Sequence, residues 1–143
     1  MMTLRTNEKW LICNALLVLF FSSCVGVEDT HKSKELISSA GEKIYINTLN
    51  SGITDDNQYT VISKDVKRLR TRSDTLNAVK GLSPFVYRFN RDTLSIYYLA
   101  WKDIKVSDSL QSIKITYHPL QNKEFMDIML KVGKGEYGYN LVP

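Results

Sequence analysis

Residues 85–101 read FVYRFNRDTLSIYYLAW, two alternating runs on either side of Asn90-Arg91-Asp92-Thr93. Folded about that centre, Phe89 faces Leu94, Tyr87 faces Ile96 and Phe85 faces Tyr98. All three pairs then share one face, with Arg88 and Ser95 on the other. A slip of one residue would throw every apolar side chain to the wrong face, so turn and pattern specify the same register. Arg-Asp is a poor pair for a tight primed turn, which predicts a four-residue connection. The segment predicts an antiparallel hairpin at the centre of the fold.

Other strand signals flank it. Ile44-Tyr45-Ile46 precedes a turn-rich stretch, Asn50-Ser51-Gly52 and Asp55-Asp56-Asn57, and Tyr59 to Ser63 forms a second short run. Over residues 112–118, Ile113, Ile115 and Tyr117 alternate with Lys114, Thr116 and His118, and Pro119 is expected to end the strand. Asn122 then caps a helix over 123–132, with Glu124 in its first turn, Lys131 in its last and Gly133 as its stop. Phe125, Met129 and Val132 form its apolar stripe, with Met126 and Leu130 beside them. A last strand runs through Tyr137, Tyr139 and Leu141. The expected class is α+β: a small antiparallel sheet with one C-terminal helix packed on it. An all-β sandwich is the alternative.

The chain has 143 residues, 43% of them hydrophobic and 24% charged, which suits one folded domain. Its first 23 residues differ from the rest. Arg5 and Lys9 precede an apolar run, Trp10 to Phe21, broken only by Asn14. That run reaches about 18 Å as a helix, well short of roughly 30 Å of bilayer hydrocarbon, so it reads as a secretory signal peptide. The net charge of +4 falls by one unit with Arg5, Lys9 and Glu8. The remaining mild excess does not suggest a nucleic-acid partner.

There are two cysteines, Cys13 within the apolar run and Cys24 just after it. Beyond residue 24 the chain has none, so an internal disulfide, a thiolate zinc site and a cysteine nucleophile are excluded there. Phe21-Ser22-Ser23-Cys24 resembles the lipobox of bacterial lipoproteins, with Phe21 in place of the usual leucine. The resemblance covers residues 1–24. It implies cleavage before Cys24, lipidation of Cys24 with palmitate-like acyl chains, and attachment to a membrane of the bacterial cell envelope, expected to be the outer membrane. Two or three acyl chains hold a protein firmly where one does not. Glu28 and Asp29 resemble the acidic export signal of surface lipoproteins in Bacteroidota. The expected organisation is a signal peptide over 1–23, a lipidated N-terminus and flexible tether over 24–42, in which Ser33 to Gly41 forms a loose helical turn, and one globular domain over 43–143.

Chemistry-bearing motifs are sparse. Lys64, Lys67, Arg68, Arg70 and Arg72 form the one charge cluster. With a strand over 66–71, Arg68, Arg70 and Arg72 project on one side, so Lys67, Arg68, Arg70 and Arg72 are candidate anion-binding residues. A solvated face or a guarded sheet edge explains the same cluster. Tyr97, Leu99 and Trp101 offer a sugar-stacking face, or a second hydrophobic layer. His31 and His118 lack companions at ligand spacing, and Asp55-Asp56 shows no pairing suited to glycoside hydrolysis. Gly133, Gly135 and Gly138 match a dinucleotide spacing but follow a helix instead of a strand. No catalytic residue, metal or cofactor is expected. The reading is a non-enzymatic binding or accessory module meeting an envelope protein or a glycan. A small envelope hydrolase is the alternative.

Overall fold

A computed structural model describes residues 29–51 and 57–143. The expected signal peptide over 1–23, Cys24 and Asp55-Asp56 lie outside the described residues. The class is α+β and mostly sheet. Strands β1 (Thr30–Ile37), β2 (Lys43–Ser51), β3 (Asn57–Ser63) and β4 (Val79–Lys80) form an antiparallel sheet in chain order. The second sheet has the order β7-β6-β5-β8, from β5 (Phe85–Asn90), β6 (Thr93–Leu99), β7 (Lys114–Leu120) and β8 (Asn140–Leu141). Helix α1 (Asn122–Gly133) lies against β6. The second sheet is not wholly antiparallel: β7 runs parallel to β6, reached by the long connection over residues 100–113.

The β5–β6 hairpin has the register its alternation dictates, with Phe85 opposite Tyr98, Tyr87 opposite Ile96 and Phe89 opposite Leu94. Its turn is tighter than expected. Asn90 pairs with Thr93, and Arg91 and Asp92 sit at φ 46° and 56°, both left-handed, as in a two-residue primed turn. The backbone penalty at Asp92 is offset because its carboxylate accepts hydrogen bonds from Ser39 N–H, at 2.7 Å, and from the Ser39 hydroxyl.

The core lies between the two sheets. Leu36, Ile44, Ile46 and Ile62 from the first meet Phe85, Tyr87, Leu94 and Ile96 from the second, with Ile104, Ile113 and Val142 closing the ends. The helix adds a layer outside this core. Phe125 is its one buried residue and Ile128, Met129 and Val132 are half-buried, whereas Met126 and Leu130 are exposed. Its cap is not Asn122 but Gln121, and the Gln121 N–H donates to the Glu124 carboxylate at 2.9 Å. Its stop is Gly135 at φ 67°, two residues beyond Gly133.

Three further expectations are corrected. The tether over 24–42 contains β1, which pairs along its whole length with β2, so neither a flexible segment nor a helical turn occupies Thr30–Ile37. Its ladder, Ser33 Oγ to Asn47 Oδ1 at 2.7 Å, and Glu35 with Lys43 and Tyr45 hold it, although Leu36 is its only buried side chain. Lys32 and Lys34 pair with Thr48 and Ile46, placing charge on the core side of an open edge, where it discourages further strand addition. Second, β7 continues through Pro119 to Leu120. It is an edge strand, where a residue without an N–H is tolerated, and Tyr117 is exposed on it. Third, residues 66–71 are a succession of turns, not a strand.

Candidate functional site

Residues 64–78 fold across the outer face of the first sheet. Leu69, at φ 67°, is wholly buried against Leu49 and Val61, with Tyr59 and Ala78 beside them. Asn47 Nδ2 donates to Asp65 O at 2.9 Å, and Leu69 N donates to Asp74 Oδ2 at 2.7 Å. This folding places the basic cluster. The Arg68 guanidinium pairs with Asp74 and donates to Leu76 O, and Arg72 grips Asp29 with its closest contact at 2.7 Å. Lys64 pairs with Glu42 at 2.8 Å. Lys67 and Arg70 are exposed. Lys67, Arg68, Arg70 and Arg72 therefore do not form one cationic row: two of them are held by carboxylates that fasten the loop.

Carboxylates also join the sheets at the end of the molecule that carries the β1–β2 turn. Glu42 accepts from the N–H groups of Gln111, Ser112 and Ile113 at 2.7–3.1 Å and from Ser112 Oγ at 2.9 Å. The Lys64 ammonium, and then these backbone donors, hold its carboxyl far below the usual carboxylate range. Asp92, bound to Ser39, is lowered by the same kind of contact, and Asp108 accepts from Lys64 N–H. Ser38 and Ser112 hydroxyls complete the clasp at 2.7 Å. No spacing in the sequence signals it, because its members come from four separate segments.

A cleft of about 590 Å³ opens where the sheets part. Tyr98 of β6 and Tyr117 of β7 supply its aromatic surface, Asn77 and Ala78 one wall, and residues 103–107 the other. Buried Ile104 roots that second wall in the core, and Val106 N–H donates to Tyr117 Oη at 3.1 Å. Asp103 and Lys105 pair at 3.2 Å at the rim. Tyrosine faces beside a few amide, hydroxyl and charged groups suit a ligand with both C–H faces and hydroxyls, such as a sugar, or a short peptide. Asp103 is the only carboxylate among the lining residues, while glycoside hydrolysis uses a pair.

The expected sugar-stacking face is dispersed. Tyr97 stacks on His118 at 4.6 Å and meets the edge of Tyr139 at 5.3 Å, beyond which Tyr137 extends the aromatic row. Burial first, and then Tyr139, pushes the Tyr97 hydroxyl above its ordinary pKa. Trp101 lies outside this row, because β6 ends at Leu99 and a turn follows; it is exposed, with Lys102 Nζ 5.3 Å from its ring centre. Burial lowers the pKa of Lys102. His118 Nε2 lies 3.3 Å from Thr116 Oγ1, and His31 is in β1. Among the described residues no three His, Cys, Asp or Glu side chains are grouped to hold a metal. No helix there is long and apolar enough to cross a membrane. Gly135 and Gly138 both have φ 67° and turn the chain from α1 toward β8, which explains the glycine spacing.

No family model, no curated protein and no solved structure matches this chain.

Proposed function

We propose that this chain is a bacterial envelope lipoprotein, anchored through acyl groups on Cys24, whose folded part is a non-enzymatic binding or accessory module. The observation that carries the reading is Phe21-Ser22-Ser23-Cys24 directly after the apolar run Trp10 to Phe21, in a chain with no later cysteine. The cleft between Tyr98 and Tyr117 supports the binding half, with a glycan or peptide segment of an envelope partner as its ligand class. With β1 beginning at Thr30, only residues 25–29 separate the anchor from the sheet. The domain is then held close to the bilayer, not on a long leash.

The test is radiolabelled palmitate incorporation and detergent-phase partitioning of the wild type and Cys24→Ser in a bacterial host. Label in the wild type and none in Cys24→Ser is expected. An unlabelled wild type overturns the reading. Membrane association of an uncleaved Cys24→Ser chain does not, because the retained apolar run is itself an anchor.

A further inference from the structure

We propose that the end of the domain opposite the carboxylate clasp, bearing Leu82 and Trp101, is seated in the headgroup layer of the bilayer to which the chain is anchored. The inference rests on the acylation of Cys24 and adds which surface meets the lipid. Six residue steps from Cys24 to Thr30 span at most about 20 Å, so the bilayer surface lies within that distance of the start of β1.

The residues around that start form one continuous end of the molecule. Thr30 pairs with Asn50, and Asn50 with Gln58. Two strand spacings bring Gln58 within about 10 Å of Thr30. Gln58 O accepts from Gly81 N–H at 2.8 Å, and Gln58 Oε1 accepts from Ser83 N–H at 2.7 Å. Leu82 stands between those two fixed points and is 77% exposed. Lys102 Nζ lies 3.2 Å from where a Cβ on Gly81 would sit, which brings the second sheet's β6–β7 connection to the same end. Trp101, beside Lys102, is 74% exposed. Arg72, bound to Asp29, is there too, and exposed Lys80 follows from the pairing of β4 with Tyr59.

The chemistry is that of a membrane interface. Two large apolar side chains are mostly exposed among the described residues, one of them a tryptophan, whose ring combines an apolar body with a polar N–H. Lys80 and Lys102 stand beside them and match anionic headgroups, whereas Arg72 is already paired with Asp29. At the opposite end Glu42, Asp92 and Asp108 spend their charge on backbone donors.

Trp101 reports the outcome directly, because the chain's only other tryptophan is Trp10, in the signal peptide. The full chain carrying Trp10→Phe is produced in a bacterial host and reconstituted into vesicles of phosphatidylethanolamine and phosphatidylglycerol. Lipids brominated high on the acyl chain are expected to remove roughly half of the Trp101 emission, and aqueous iodide little of it. Leu82→Asp, at an exposed position, should weaken the lipid quenching at least about twofold with acylation unchanged. An acylated, vesicle-bound chain whose Trp101 is quenched by iodide and not by lipid overturns this inference while the anchor stands. So does quenching that Leu82→Asp leaves intact, or protection of Trp101 that requires native membranes and is lost in protein-free vesicles, which would identify a protein partner. A chain without acyl groups overturns the anchor and this inference together.

Discussion

Replacing Phe85 by alanine probes the two-sheet core at its largest fully buried side chain. Phe85 is 1% exposed, opposite Tyr98 on the hairpin, and packs in the cluster fed by Ile44 and Ile46 of the other sheet. Removing a ring that buries roughly 150–250 Å² forfeits about 4–6 kcal/mol at about 25 cal/mol/Å². A denatured chain that is already partly compact reduces this, and measured core truncations of phenylalanine cluster at about 3–5 kcal/mol. A domain of this size has roughly 5–15 kcal/mol in total. The variant should therefore lose a large fraction of its stability, and its Tm should fall by about 10–20 °C. The assay is urea and thermal unfolding followed by circular dichroism, with Arg88→Ala as the comparison. Arg88 lies on the opposite face, opposite Ser95. Its loss should be smaller by at least about 2 kcal/mol. Ile46→Ala should approach Phe85→Ala, at about 2–5 kcal/mol, because it lines the same core from the other sheet. A Phe85→Ala variant within about 1 kcal/mol of wild type, or one matched by Arg88→Ala, would refute the two-sheet packing.

Two further predictions concern the clasp and the hairpin turn. The Glu42 carboxyl is depressed below its ordinary value of 4.5, so its contribution is fully present above that pH and is lost as the pH falls toward the folded value. Glu42→Gln should lower the Tm at neutral pH and flatten the loss of Tm below pH 4.5 that the wild type shows, measured by scanning calorimetry across pH. Equal acid profiles would contradict the clasp. Arg91→Asn should raise stability by about 0.5–1 kcal/mol in urea unfolding, because asparagine tolerates the left-handed conformation that Arg91 occupies. A loss of stability would argue against the two-residue turn.

The hairpin was legible because two independent signals, alternation and turn position, specify one register. The helix was legible from the i, i+4, i+7 spacing of Phe125, Met129 and Val132, although Met126 and Leu130 remain in water. β1 was not legible. Its core-side positions carry Lys32 and Lys34 as well as Leu36, so the alternation that marks a strand is absent, and the backbone ladder with β2 substitutes for it. The two-residue turn was not legible, because the partner that favours it, Ser39, lies in the distant β1–β2 turn. The cations of residues 64–72 were visible in the sequence, but not Asp29, Asp74 and Glu42, which hold three of them. The cleft escaped for the same reason. Asn77, Tyr98, residues 103–107 and Tyr117 converge only through the parallel placement of β7 beside β6.

The most direct measurement is intact and N-terminal peptide mass spectrometry of the mature protein recovered from bacterial membranes. The mature chain should begin at Cys24 and carry the mass of two or three acyl groups on that residue. A mature chain that begins elsewhere, or that begins at Cys24 with no added acyl mass, would contradict the anchor.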